Sequence, residues 1–436
     1  MKGGFFHLKS RLLSAPIAKM LGGSVVGQAA IIMVSPFLTR LYSPTEFGVF
    51  AAFSAITALL STASCLSFDR AVTIPRKEGD AFGLELLGLV SCAATSLVLL
   101  AACRYSIPLL DRYMNGSGAL AWWLIPLTTL VTGVYQLTTV WLVRVGDYDS
   151  IALRGVVQGV SQATGGVVLG LVEAHEIGLL AMVPMGIVVG LLGVGRRLGW
   201  SRKTFVEGAR VFRVVLKRYR RFPLVNTWSS LLNSLGLQLP VLLLAAVMLS
   251  EDVGQMSLAF RVVSTPVAVI VVSVSNYFQG TFSARFRAES GGLANLVRRF
   301  AIRLFAVGLV PTLVIVCFGP TLFGYVFGTE WQLAGSLAQV FVFSSLVQLA
   351  VRPVSTTLVV LERLGLQLCW DVSRLVVVGL SILSAVLWFG SIEAAVMAWA
   401  SALVLSYAVL WILCLKAACL SDRRIANVEG AKEELS

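Results

Sequence analysis

Long apolar runs alternate with short polar breaks along almost the whole chain. Dividing the chain at charged and turn-forming residues gives twelve apolar segments, each of about 20 residues, the length at which an α-helix crosses about 30 Å of hydrocarbon. The pattern therefore predicts an all-α, polytopic membrane protein with about twelve transmembrane helices. The predicted segments are residues 16–39, 47–68, 82–103, 119–143, 151–172, 177–195, 224–249, 253–279, 302–327, 333–351, 366–389 and 393–415.

The basic residues are distributed unequally between the two sides of these segments. Of 35 lysines and arginines, 27 fall in the terminal stretches and the even-numbered loops, three in odd-numbered loops and five within segments. Because basic loops remain in the cytoplasm, both termini are predicted to be cytoplasmic. The net charge of +13 is then explained by anionic lipid headgroups, so membrane lipids are expected partners and nucleic acid is not.

Composition favours the same class of protein. Hydrophobic residues make up 57% of the chain and charged residues 13%, whereas a soluble domain carries about 25% charged residues. Seven cysteines and two histidines occur without a C-x-x-C pair, so neither a disulfide framework nor a metal site is expected.

A basic interval near the middle divides the chain into two halves. Residues 196–223 hold ten basic residues and one acid, Glu207. Their apolar residues recur at helical spacing, which predicts a basic amphipathic helix on the membrane surface; these are Phe205, Val206, Ala209, Phe212, Val215 and Leu216. The predicted organisation is an N-terminal six-helix bundle (1–195), a basic cytoplasmic linker (196–223), a C-terminal six-helix bundle (224–415) and a cytoplasmic tail (416–436).

A short internal echo is consistent with two related halves. Residues 43–48 (SPTEFG) open the second segment, and residues 250–254 (SEDVG) open the eighth. Since six segments separate them, the two halves have the same orientation, which is a parallel repeat.

Polar side chains recur on one face of several segments. Gln28 lies on such a face of the first segment, and Asn226 and Asn233 lie on one of the seventh. Such residues either bond neighbouring helices or line a wet cavity. Arg154 is close to a cytoplasmic end, so its side chain is expected to reach water as an anchor. Arg261 lies about 12 Å of helical rise inside its segment and is expected to line a cavity.

Two opposite charges occur together on the eleventh segment. Asp371 and Arg374 are three residues apart, so they share a helix face and can neutralise one another. The alternative is that Asp371 is a protonatable group in an ion-coupled cycle.

Several stretches resemble one family of membrane proteins. They include residues 22–75, with the runs 36–48 and 68–71, then residues 253–266, 318–331 and 361–374. Their order and spacing resemble the bacterial polysaccharide-transport flippases, which move O-antigen or exopolysaccharide precursors. These belong to the multidrug/oligosaccharidyl-lipid/polysaccharide exporter superfamily.

The resemblance implies two six-helix bundles around a central cavity in the bacterial inner membrane. The implied substrate is an undecaprenyl-pyrophosphate-linked oligosaccharide, whose headgroup the arginines of a polar cavity would shelter. Arg261 is the implied cavity arginine, with Arg40 and Arg70 at the cavity mouths. The resemblance also implies coupling to a proton or sodium gradient without a bound cofactor, and a polysaccharide polymerase and chain-length proteins as partners.

Two other functions are compatible with a polytopic chain. A membrane polymerase or glycosyltransferase needs acids or bases near a reacting sugar, commonly on a sizeable loop. The odd-numbered loops are short, and the longest, about residues 104–118, has one acid, Asp111, so an enzyme is not expected. A drug exporter of the same superfamily would differ only in its cargo.

Overall fold

The computed structural model describes residues 15–197, 202–288 and 291–434, which are almost entirely helical. Residues 1–14 of the predicted first bundle, 198–201 of the predicted linker and 435–436 of the predicted tail lie outside the described residues. The α-helices are α1 (Ala15–Leu41), α2 (Pro44–Ser64), α3 (Glu78–Tyr105), α4 (Ile107–Tyr113), α5 (Gly118–Val145), α6 (Tyr148–Leu171), α7 (His175–Val194), α8 (Arg202–Tyr219), α9 (Thr227–Val247), α10 (Ser250–Arg287), α11 (Leu293–Phe327), α12 (Gln332–Val351), α13 (Thr356–Val360), α14 (Leu364–Phe389) and α15 (Ile392–Glu434). Short 3₁₀ turns occur at Asp69–Ala71, Gly195–Arg197, Thr329–Trp331 and Pro353–Ser355, and a π-helical turn at Phe222–Asn226 precedes α9.

Each of the twelve predicted segments lies on one of these helices, so the predicted all-α polytopic fold is confirmed. By length and composition, ten helical stretches of the described residues can cross a membrane, and Val25–Leu41 of α1 is a shorter apolar helix. Many large apolar side chains on these helices are exposed, which is expected where the surroundings are lipid. Examples are Met33, Val98, Val307, Val310, Leu387 and Trp388.

The turn between α1 and α2 shows how local sequence sets a helix start. Ser43 is the N-cap of α2, and its side chain accepts a hydrogen bond from the Glu46 backbone N–H. The Glu46 carboxylate in turn accepts one from the Ser43 backbone N–H at 2.7 Å. Pro44 occupies the first turn, where no backbone N–H is needed. This capping box ends the turn after only two residues.

Backbone contacts divide the chain into two compact units, residues 1–254 and 255–436. In the first unit α1 packs on α6, α6 on α7, α3 on α5 and α8, and α2 on α5 and α9. In the second unit α12 packs on α11 and α15, and α15 also packs on α14. The predicted limits of the two six-helix bundles stay a prediction.

Glycines allow α1 and α6 to approach closely. Gly27 lies against the backbone of Gly155 and Gly159, and Gly23 lies against Ala152. Both helices thus present small residues four apart, the arrangement that lets helices pack through their backbones where the hydrophobic effect supplies little attraction.

The predicted amphipathic helix is present as α8, and part of its apolar face packs against α3 while Phe205, Val206 and Leu216 are exposed. Val215 and Tyr219 are buried in a cluster with Phe82 of α3, and Phe212 packs against that cluster. Phe212 and Val215, two residues of the predicted apolar face, thus pack on α3, and the location of α8 on the membrane surface stays a prediction. The basic residues of α8 remain exposed; these include Arg210, Arg213, Lys217 and Arg218.

Aromatic packing and one amide order the second unit. The Phe260 ring stacks on Trp399 with ring centroids 5.1 Å apart and meets Phe341 edge-on at 5.4 Å, which joins α10, α15 and α12. Gln255 donates to the Glu330 carbonyl at 2.6 Å and accepts from the Ala334 N–H at 3.0 Å. This amide satisfies backbone groups at the start of α12 and fixes α10 beside it.

Candidate functional site

Arg154 is a buried cation in the first unit. The residue is 1% exposed, and its guanidinium lies 3.7 Å from the centre of the Tyr135 ring. Nη1 donates to the Tyr135 carbonyl oxygen at 3.2 Å, and Nη2 donates to Thr139 Oγ1. The expectation that Arg154 reaches water as an anchor is wrong, because α5 covers it. The sequence of α6 alone does not indicate that α5 buries Arg154.

Two predicted site residues lie on the exposed side of α1. Gly23 and Gly27 face α6, whereas Gln28 and Arg40 are exposed. Arg40 lies in the last turn of α1, where a cation also interacts favourably with the helix dipole. Both side chains therefore lie on the surface of the first unit, outside its packed core.

The polar stripe before and within α9 has two roles. Ser230 Oγ donates to the Asn226 carbonyl at 2.8 Å, and Asn226 itself is partly buried in the π-helical turn. Thr62 Oγ1 of α2 donates to Ser234 Oγ at 3.1 Å, a bond between helices. Asn233, the next residue of the stripe, is exposed. Neither of these hydrogen bonds uses the Asn233 side chain, which lies on the surface of α9.

The loop after α2 carries Arg70 and is held in place by hydrogen bonds from α5. Arg70 is exposed in the 3₁₀ turn Asp69–Ala71. Arg144 of α5 donates to the Val72 carbonyl at 2.9 Å and to the Pro75 carbonyl at 2.8 Å, which fixes the path of this loop. Burial raises the pKa of the Asp69 carboxyl above its usual range.

Arg261 is partly buried on α10, in the second unit. It follows Phe260, whose ring is held between Trp399 and Phe341. One turn farther along, Ser264 Oγ lies 3.4 Å from Ser345 Oγ of α12. On α10, Arg261 thus lies between Phe260, which packs in an aromatic cluster, and Ser264, which meets α12.

Asp371 and Arg374 form the ion pair that their spacing predicts. Arg374 Nη2 lies 3.4 Å from Asp371 Oδ1, and its guanidinium is 4.8 Å from the centre of the Trp370 ring. Arg374 also donates to the Tyr407 hydroxyl at 3.4 Å. The Asp371 side chain is 42% exposed, so local pairing accounts for this carboxylate without a buried charge.

A groove in the second unit collects three arginines on apolar walls. Arg287 at the end of α10, Arg363 before α14 and Arg424 on α15 line a cavity of about 420 Å³. Phe286 and Ile425 supply part of its apolar wall. Guanidinium groups pair well with phosphate oxygens, so the chemistry of this groove suits an anionic headgroup.

The structure brings together only part of the predicted set. Gln28, Arg40, Arg70, Asn226 and Asn233 lie in the first unit. Arg261, Asp371 and Arg374 lie in the second, and there Asp371 and Arg374 contact each other directly. In the described parts of the chain, no group of three or more His, Cys, Asp or Glu residues could hold a metal ion.

One buried acid, Glu85, is not predicted from the sequence. Glu85 of α3 is 0% exposed, but it is the fourth residue of the predicted segment 82–103 and follows the polar stretch 76–80, so it resembles a boundary residue. Glu85, Gly88 and Cys92 are spaced so that they share one helix face. This spacing is the only sequence feature that indicates an inward orientation of Glu85.

Comparison with known proteins now gives the family. A sequence model described as "Polysaccharide biosynthesis protein" matches residues 37–336. The chain belongs to this family of polysaccharide biosynthesis proteins, as its resemblance to polysaccharide-transport flippases predicted. No curated protein sequence matches the chain significantly.

Solved structures show which fold the chain has. It is similar to an inward-facing multidrug resistance MATE family transporter of the MOP superfamily, with a TM-score of 0.61, 14% identity, and 97% of this chain and 99% of that chain covered. It is similar to the lipid II flippase MurJ in an inward closed conformation, with a TM-score of 0.67, 10% identity, and 94% and 92% covered. For the Vibrio cholerae MATE transporter VcmN the TM-score is 0.54 at 13% identity, with 94% and 97% covered. The chain therefore has the fold of MOP superfamily transporters and is a multi-pass membrane protein.

Proposed function

We propose that this protein is a flippase that moves an undecaprenyl-pyrophosphate-linked oligosaccharide from the cytoplasmic to the periplasmic leaflet of the bacterial inner membrane. The observation that carries the proposal is the family match over residues 37–336 in a chain with the fold of membrane transporters. The similarity in fold to a lipid II flippase supports a lipid-linked cargo. The cargo serves O-antigen, capsule or exopolysaccharide synthesis, so a polysaccharide polymerase and chain-length proteins are the expected partners.

The physical demand of such a cargo explains the candidate residues. A pyrophosphate with an attached saccharide cannot enter hydrocarbon, so polar side chains must shelter it while the polyprenyl tail stays in lipid. Arg261 is the residue we assign to the pyrophosphate, because a guanidinium donates to two phosphate oxygens at once. Arg40, Arg70, Gln28 and Asn233 are exposed on the first unit and are assigned to the headgroup at other stages of an alternating-access cycle.

Transport against a gradient requires an energy source. The proposal includes coupling to a proton or sodium gradient, for which Asp371 with Arg374 is the pair chosen from the sequence. Both remain candidates for this role. Catalysis is not part of the proposal, because translocation of the intact cargo breaks no covalent bond.

Replacing Arg261 tests this function directly. In a strain lacking the gene, the wild-type protein should restore surface polysaccharide, whereas Arg261→Ala should lower it about tenfold or more, since a lost charged hydrogen bond costs about 1.5–3 kcal/mol. Arg261→Lys should restore part of the activity, because the charge remains but the paired donors do not. Surface polysaccharide, membrane abundance of each variant and lipid-linked intermediates are measured together.

The matched control is Arg303→Ala, which removes an exposed arginine from α11. It should leave export at the wild-type level. Normal export by Arg261→Ala would remove this arginine from the mechanism. Accumulation of unpolymerised sugars already on the periplasmic side in the deletion strain would instead point to a polymerase, and drug sensitivity with normal polysaccharide would point to a drug exporter.

A further inference from the structure

Glu85 is a fully buried carboxyl group without a hydrogen-bond partner. It is 0% exposed, and among the described residues neither Oε1 nor Oε2 has a partner. It lies on α3, about 10 Å of helical rise from the start of that helix. Both oxygens are thus removed from solvent inside the first unit.

Apolar side chains close the space around it. Gly88, one turn away on the same helix face, is packed against Leu137 of α5. The flanking residues Leu84, Leu86 and Phe82 belong to a buried cluster that also contains Trp141 of α5, Val215 of α8 and Phe68 before the 3₁₀ turn.

The charged groups on the surrounding elements do not neutralise Glu85. Asp69 of the 3₁₀ turn acts on it electrostatically, and being an acid it repels a negative charge. Arg70 of the same turn is exposed, and Arg144 of α5 is bonded to backbone carbonyls of the loop.

The basic side chains whose exposure the structure describes on α8 and in the 65–77 loop point to the surface; these are Arg76, Lys77, Arg210, Arg213, Lys217, Arg218 and Arg220. On α8, Glu207 lies near Gly79, at the start of α3, and Tyr219 packs in the apolar cluster. Cys65 at the end of α2 lies 3.1 Å from Cys92 Sγ of α3. On α3 itself the nearest charges, Glu78 and Asp80, are acids.

An ionised carboxylate in such surroundings would cost several kcal/mol, and a buried acid avoids this cost by holding its proton. We infer that Glu85 is a proton-binding site that is occupied in this conformation and empties into water when the cover of α3 by α5, α8 and the 65–77 loop opens. In that step the Glu85 O–H bond breaks and the proton passes to water, leaving a carboxylate. The role of Glu85 as the carrier of the coupling proton deepens the proposed function and rests on it. The protonation of Glu85 in this conformation does not depend on that function.

Infrared spectroscopy of the purified full-length protein tests the protonation. A protonated carboxylic acid has a C=O stretching band that carboxylates and amides lack. We expect this band in the wild type and in Asp371→Asn, and its loss in Glu85→Gln. Identical spectra for the wild type and Glu85→Gln would overturn the inference.

Stability distinguishes a neutral acid from a structural ion. Glu85→Met has nearly the same length and no polar atoms, so for a neutral Glu85 its midpoint of thermal unfolding should equal or exceed that of the wild type. A large loss of stability in both Glu85→Met and Glu85→Gln would show that an ionised Glu85 holds the fold, and this would overturn the inference even if the variants cannot be studied further.

Export tests the role as carrier. In the strain lacking the gene, Glu85→Gln should fold and reach the membrane but lower surface polysaccharide at least tenfold, while Glu393→Gln, which neutralises an exposed carboxyl in the first turn of α15, should retain it. Normal export by Glu85→Gln would exclude Glu85 as the coupling group. If the deletion strain itself has normal surface polysaccharide and lipid-linked intermediates, the proposed function fails, but the infrared result still decides whether Glu85 binds a proton.

Discussion

Gly48→Ala is expected to lower the stability of the protein and, with it, the export that we propose for this protein. A Cβ atom at residue 48 would overlap the carbonyl group of Ser250 and lie 3.0 Å from its Cα atom. Because these are backbone atoms, they cannot rotate away as the end of a side chain can. Overpacking of this kind costs about 1–3 kcal/mol.

Gly254 of α10 makes the matching contact with the start of α2. A Cβ at Gly254 would overlap the Pro44 carbonyl oxygen and lie 2.9 Å from the Gly48 backbone N atom. Each glycine, four residues into its helix, thus meets the first residue of the other helix. Residues 43–48 and 250–254 are the two members of the internal echo in the sequence, and the structure shows that they touch. We therefore expect Gly254→Ala to have the same effect as Gly48→Ala.

Gly165→Ala is the matched control for both substitutions. Gly165 is also within a helix, but nothing lies within 4 Å of the position that its Cβ would take. Alanine there should leave stability unchanged or raise it by about 0.5–1 kcal/mol, since alanine is the better helix former. The midpoint of thermal unfolding in detergent and surface polysaccharide in cells are measured for all three variants. Equal midpoints for Gly48→Ala and Gly165→Ala would contradict the close contact.

The sequence predicts the helices well because each apolar segment carries its own signal. The α2 helix begins at Pro44, three residues before the predicted segment 47–68, because Ser43 and Glu46 cap its first turn. Charged helix ends give no hydropathy signal, so the predicted limits of α10, α11 and α15 are too short. α11, for example, begins at Leu293 and not at residue 302, and its first turns carry Arg298 and Arg299.

The candidate site is predicted less well because burial depends on a second element. The exposed position of Arg40 and the pairing of Asp371 with Arg374 follow from single helices. Whether Arg154 or Glu85 is buried depends on α5. This helix is close to both residues in the sequence, but the pattern of α6 or of α3 alone does not show which of its faces packs against α5. The same reason applies to α8, whose helical pattern is readable from the sequence but whose packing against α3 is not.

Arg154→Ala is expected to destabilise the first unit by several kcal/mol. Truncating a large buried side chain leaves a cavity that costs about 2–5 kcal/mol, and the guanidinium contact with the Tyr135 ring adds about 2 kcal/mol when desolvated. Arg154→Lys should be intermediate. Its single ammonium keeps the charge, but it cannot donate along two directions to the Tyr135 carbonyl and Thr139 Oγ1 as the planar guanidinium does.

Arg352→Ala separates burial from the general loss of an arginine. Arg352 is exposed at the end of α12, so its replacement should change stability by less than about 0.5 kcal/mol. Thermal unfolding of the purified variants, with membrane abundance as a second measure, gives the order wild type and Arg352→Ala, then Arg154→Lys, then Arg154→Ala. If Arg154→Ala unfolded together with Arg352→Ala, the side chain would have to reach water in the membrane, as a snorkelling anchor does. A buried guanidinium between α5 and α6 requires the opposite result, because its bonds to Tyr135 and Thr139 hold these two helices together.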